Sequence, residues 1–241
     1  MKAKFFKVAF LLVALATVFS SCKKDEDSNS KASNFSGPEE YIENPSIKKA
    51  IKESRIDVNK GSNPPALAGT YLTDGKIVAA SSLFNSLIGL PVNSEFELYD
   101  QTTSGKINFR EKVGGLAVSG SGGFITGNNG KFTIYLESRQ SGSEAGLPND
   151  IAINVVSLMS GSKSDNGNLT LKGLSSISEV TTTNKQYNTK GIEGSWYIWE
   201  ASFNLQTGLK SAKIRLENGK TNQSIKEIIM RDLIVKIITS E

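Results

Sequence analysis

Histidine is absent from the 241-residue chain and cysteine occurs once, at Cys22. Those two counts exclude Ser-His-Asp and Cys-His catalysis, histidine metal sites, four-cysteine zinc sites and any intramolecular disulfide. What remains is carboxylate chemistry, serine–lysine chemistry and binding by aromatic rings. Ser160-x-x-Lys163, followed by Ser164-Asp165-Asn166, has the spacing of a serine nucleophile with a lysine base. It sits in a Gly/Ser/Asn stretch and recurs as Ser46-x-x-Lys49, so the pattern is a product of serine-rich composition. Glu95 and Glu97 share a strand face about 7 Å apart, close to the separation that glycoside hydrolysis uses. Their alternation with Phe96 and Leu98 fits a solvated strand face equally well. The segment from Gly114 to Gly130 holds seven glycines, but Gly130-Lys131 runs into Phe132 and no phosphate-binding string is complete. Bulges and bends in a curved sheet account for these glycines. No catalytic, cofactor or metal residue is therefore assigned, and the chain is read as a non-enzyme.

The strongest pattern is aromatic. Both tryptophans lie in Gly194-Ser195-Trp196-Tyr197-Ile198-Trp199-Glu200. In strand register Tyr197, Trp199, Ala201, Phe203 and Leu205 form one apolar face, and Trp196 points the other way with Ile198, Glu200 and Ser202. A large ring on that mixed face suits stacking on a sugar or lining a cavity, so Trp196 is the candidate ligand-binding residue.

The lone cysteine belongs to a targeting pattern. Lys2, Lys4 and Lys7 precede an apolar run from Val8 to Phe19, interrupted only by Thr17. Twelve helical residues span about 18 Å against a hydrocarbon core of about 30 Å, so this is a secretory signal and not a membrane span. The run ends in Phe19-Ser20-Ser21-Cys22, which resembles the lipobox of bacterial lipoproteins. That resemblance implies cleavage before Cys22, acyl chains on Cys22, and attachment to a membrane through them. Residues 1–21 are then the signal peptide. Their removal leaves 25 basic against 24 acidic side chains, which takes away the electrostatic basis for nucleic-acid binding.

Residues 22–40 form the lipidated cysteine and a tether too poor in apolar side chains to repay its own ordering. The run Lys23-Lys24-Asp25-Glu26-Asp27 resembles the export signals of surface lipoproteins in Bacteroidetes-type bacteria, and the stretch from Asn63 to Tyr71 is similar to uncharacterised lipoproteins of that group. The resemblance implies an outer-membrane location, at the cell surface or alternatively on the periplasmic face. Residues 41–66 carry a short helix and a linker. Asn44 is the expected N-cap, Pro45 the N1 residue, and Ile47, Ala50 and Ile51 one apolar face.

Residues 67–241 read as a single β-domain. Phe132, Ile134 and Leu136 alternate with polar positions, as do Ile107, Phe109 and Val113, and Ile151, Ile153 and Val155. Turns are expected at Asp74-Gly75, Ser104-Gly105, Asn129-Gly130, Asn166-Gly167 and Asn218-Gly219. Closely spaced hairpins predict an all-β antiparallel meander, closed as a barrel or folded as a sandwich. One segment departs from period two. Leu83 with Leu87 and Phe84 with Ile88, before Gly89, predict a short helix that caps the core or lids a cavity. Residues 233–238 predict a last strand. Gly194-Ser195-Trp196 resembles the G-x-W element of lipocalin-like barrels, which implies a ligand cavity.

The combined expectation is a lipid-anchored envelope protein with a non-enzymatic binding domain for a glycan or other surface ligand. The alternatives are a lipocalin-like carrier of a small apolar molecule and a structural or assembly lipoprotein.

Overall fold

The computed structural model describes residues 35–113, 116–141, 148–184, 187, 189 and 191–206. Cys22, the Asn218-Gly219 turn and the expected strand at 233–238 lie outside them. Two short helices, α1 (Pro38–Glu43) and α2 (Pro45–Ser54), lead into β1 (Gly69–Ala80), a 3-10 segment at Ser82–Leu87, and the two-residue β2 (Pro91–Val92). A meander follows: β3 (Glu95–Tyr99), β4 (Lys106–Val113), β5 (Leu116–Asn128), β6 (Lys131–Ser141), β7 (Ile151–Lys163), β8 (Leu169–Thr182) and β9 (Trp196–Leu205).

Each strand of the meander pairs antiparallel with the next, and β9 returns to β1 from Tyr71↔Leu205 to Ala80↔Tyr197. With β1 and β3 to β9 as staves, the sheet has no free edge. It is a closed eight-stranded barrel, with β2 beside the far end of β1. At this strand number the interior holds packed side chains or one small ligand.

Local chemistry explains the turns. Asn129 and Gly130 both take positive φ, 53° and 78°, as a two-residue hairpin of the primed type requires. Gly105 and Gly167 take φ of 77° and 86° in the β3–β4 and β7–β8 connections. Asp74-Gly75 is not a turn, contrary to expectation. It lies inside β1, where a Cβ on Gly75 would stand 2.5 Å from the Ala201 Cβ across the seam. Gly75 is there to let β1 and β9 close. In β5 three steps, from Gly120 to Gly123, oppose two in β4, from Phe109 to Ile107. This bulge accords with the expectation for the glycine-rich stretch.

Inside, one end is filled. Leu67, Tyr71, Phe96, Leu98, Phe109 and Phe203 belong to a contiguous apolar cluster there, with Phe96 stacked on Phe109 at 5.8 Å. The Tyr71 hydroxyl donates to the Leu67 carbonyl at 2.6 Å, and burial pushes its pKa up to about 12. At the other end Ile77, Phe84, Leu87, Ile153 and Ile177 form a second cluster.

The expected helix at 81–89 is a kinked 3-10 segment. Phe84 departs from helical geometry and turns its ring edge-on to Tyr197 at 5.9 Å. Phe84 and Leu87 are buried and Ile88 is exposed, so the segment caps the core.

The N-terminal helices pack outside the barrel. Asn44 caps α2 by accepting from the Ser46 and Ile47 amides at 3.0 and 3.3 Å, with Pro45 at N1, as the sequence predicts. Tyr41, Ile47 and Ala50 are buried against the outward residues Tyr135, Val156, Leu158, Leu174 and Ile198. Phe35, within the expected tether, stacks on Tyr41 at 4.1 Å.

Candidate functional site

The fold separates the serine–lysine candidate and turns the glutamate pair outward. Ser160 and Lys163 are three residues apart on β7, which puts them on opposite faces of a strand. The Ser160 hydroxyl meets the Thr133 hydroxyl, and the Lys163 ammonium donates to the Ala66 carbonyl. Ser164 bonds Asn166 and Asn168 within the β7–β8 turn. Glu97 lies on the outer face and pairs with Arg110 at 2.9 Å, with Glu95 two residues along the same face.

Trp196 requires a correction. It does lie on the face opposite Tyr197 and Trp199, but that face is covered by α2. Trp196 is 8% exposed, and its indole N–H donates to the Glu53 carboxylate at 2.9 Å. A ring so enclosed offers no free face to a sugar. It staples the N-terminal helices to the barrel.

The remaining face of β9 leads into the lumen. Opposite partners share a face in a sheet, so register fixes which residues point inward. Tyr197 opposes Ser175, Trp199 opposes Gly173, and Ser157 opposes both Ser175 and Leu136. On the far wall Phe96 opposes Glu111 and Tyr71. Phe96 and Tyr71 are core residues, so Glu111 points inward as well. A polar girdle thus crosses the barrel between the two apolar clusters. Thr73 and Ser94 hydroxyls meet at 3.0 Å, and the Ser94 amide donates to Thr73 Oγ1 at 2.6 Å. Ser94 in turn hydrogen-bonds the Glu111 carboxyl. Across the lumen Ser157 and Ser175 hydroxyls meet at 3.1 Å, and Ser175 bonds the Tyr197 hydroxyl.

This girdle is not packed solid. Glu111, Val155, Ser157, Tyr197 and Trp199 are only half-buried, while the outward neighbours Val156, Leu158, Trp196 and Ile198 are buried. Burial nevertheless pushes the Glu111 carboxyl well up from the usual carboxylate range, against a smaller opposing effect of the Ser94 hydrogen bond. The Tyr197 hydroxyl is also pushed up, first by burial, with a further contribution from the Glu111 charge. These groups face the interior of the barrel and pack against its two apolar clusters, yet they keep some accessible surface.

Comparison with family models, curated proteins and solved structures finds no match to this chain. The site must therefore be argued from its own chemistry.

The sequence pattern overlooked Glu111. The signal was present: Ile107, Phe109 and Glu111 occupy one face of β4, and a lone acid in an apolar face is a marked position. Among the described residues no group of acidic or sulfur side chains is arranged to hold a metal. The barrel's outside carries an open groove of about 420 Å³, lined by Asp74, Thr170, Lys172 and Glu200 among others. It has no aromatic ring in its lining, and its Lys172 and Glu200 are 3.8 Å apart, paired with each other. The lumen is the better candidate.

Proposed function

We propose that this chain is a lipid-anchored cell-envelope protein whose barrel is a non-enzymatic binding domain for a small, partly apolar molecule. The observation that carries the binding reading is the half-buried inner face at Glu111, Val155, Ser157, Tyr197 and Trp199. A lumen lined by aromatic and aliphatic side chains, with a few convergent polar groups, has the composition of a small-molecule site. This favours a carrier or receptor of a small molecule over the glycan platform expected from Trp196, because the ring that would have stacked on a sugar is enclosed. Native mass spectrometry of protein isolated from its own envelope is expected to show a small-molecule adduct that denaturation releases. Protein that carries no adduct, and binds none of a panel of lipids and small glycans, overturns the binding reading.

The anchor rests on the lipobox and tether sequences. A doubly or triply acylated Cys22 would hold the protein stably, since a single chain binds a membrane only marginally. Cys22→Ala is expected to abolish acyl labelling and to move the protein from the detergent phase to the aqueous phase. Unchanged partitioning would sink the anchor without touching the binding reading. The charged run after Cys22 supports display at the cell surface, which protease accessibility on intact cells would test.

A further inference from the structure

We infer that the lumen takes an organic cation, an amine or quaternary ammonium group, with Glu111 as its counter-ion and the Tyr197 and Trp199 rings as its aromatic walls. The inference rests on the lumen reading above and adds the chemical class of the ligand.

Three observations converge on it. First, Glu111 is an acid placed among apolar neighbours, with Phe96 directly opposite and Phe109 two residues away on the same face. Removing an ionised carboxylate from water is costly unless a positive charge or several hydrogen bonds compensate. Among the described residues, the Ser94 hydrogen bond is the interaction that favours its ionised form, against the larger effect of burial.

Second, three cationic side chains of the described strands are engaged elsewhere. Arg110, the neighbour on β4, turns outward to Glu97 and over the Tyr99 ring at 5.5 Å. Lys172 is engaged outside with Glu200, and Lys163 reaches the Ala66 carbonyl at the filled end. Around Glu111, Ser94 on β3 bonds its carboxyl, Thr73 on β1 meets Ser94, Val118 on β5 stands opposite it in register, and Tyr197 on β9 is the titratable group its charge reaches.

Third, the half-buried β9 residues of the same inner face, Tyr197 and Trp199, are aromatic. Trp199 is stacked on Phe203 with ring planes 7° apart, and a Cβ on Gly173 would fall 2.0 Å from its Cε2. The indole is thus backed on the strand side and held in place. A cation over an indole or phenol face is favoured by about 0.5–2 kcal/mol, most where water is excluded. A carboxylate within the same enclosure supplies the neutralising charge. An anionic ligand would meet Glu111 as a like charge. A neutral one would leave the carboxyl to be satisfied by its own proton.

The test uses the full acylated protein in lipid nanodiscs and three water-soluble probes of similar bulk: benzyltrimethylammonium, benzyl alcohol and phenylacetate. Calorimetry is expected to show benzyltrimethylammonium binding at least tenfold more tightly than the other two. Glu111→Gln is expected to remove that preference while leaving benzyl alcohol binding in place. The probe's charge is permanent, so ionisation of Glu111 must release a proton where the free carboxyl is protonated. In wild-type protein its affinity should therefore rise as the pH is raised through and above the usual carboxylate range. Buffers of different ionisation enthalpy should report proton release over the same interval. The proton measurement decides the matter even if Glu111→Gln fails to fold. Equal binding of all three probes would overturn the cation assignment and leave the lumen reading intact. Tighter binding of phenylacetate would overturn it outright. Binding of none would overturn both.

Discussion

Trp196→Ala is expected to lower the stability of the domain by about 3–5 kcal/mol, the range for deleting a large buried aromatic side chain. The indole fills the space between α2 and the outer face of β9, beside Ile47, Ala50, Leu174 and Ile198. Its deletion leaves a cavity that those side chains fill only in part, and strands the Glu53 carboxylate without its indole donor. The backbone around Trp196 is also tied to the segment before the 3-10 turn, through Trp196 N to Ser81 Oγ at 3.0 Å and Ser81 N to Trp196 O at 2.8 Å. Those bonds survive the substitution, so the strand should stay in register while the helices lose their hold. Denaturant unfolding should show a lower midpoint, and limited proteolysis should cut first within residues 35–60. Ligand binding by the folded variant should be unchanged. A variant as stable as wild type that has lost its ligand would mean that the ring serves the ligand and not the helices.

The same residue shows what is legible in one dimension. Period-two alternation assigns Trp196 and Trp199 to opposite faces of a strand, and the structure agrees. Alternation does not say what covers a face. The cover here is a helix whose contact residue, Glu53, lies 143 positions away in sequence, and no local pattern encodes that distance. The meander was legible because each hairpin is local, and Asn129-Gly130 prefers the positive φ that its turn demands. Closure of β9 onto β1 was not. A sandwich and a barrel share the same local signals, and they differ in whether the first and last strands meet. Asp74-Gly75 misleads for a related reason. The glycine that reads as a turn is required by close approach of a strand 126 positions later, at Ala201. Glu111 lay within the legible part: it interrupts the apolar face of β4, and that interruption is the chemical marker of the lumen.

Gly173→Val is expected to cost about 1–3 kcal/mol through overpacking and, with it, to close the lumen. A Cβ at this position would stand 2.0 Å from Trp199 Cε2, 2.2 Å from Cζ2 and 2.6 Å from Nε1. The obstacle is a rigid fused ring, not the free end of a flexible chain. The β8 backbone is held by pairing to both β7 and β9, so the indole must be the part that moves. Phe203 stacks on it along the strand, which leaves the side toward the half-buried Tyr197 as the direction in which it can turn. Thermal unfolding should therefore fall by several degrees for a domain of this size. Binding of benzyltrimethylammonium should be lost at temperatures where the variant remains folded. The double variant Gly173→Val with Trp199→Leu removes the collision, so its stability should exceed the sum of the two single effects by more than about 0.5 kcal/mol. Additive losses would mean that the ring and the glycine do not share the space, and the aromatic wall proposed for the ligand would lose its backing.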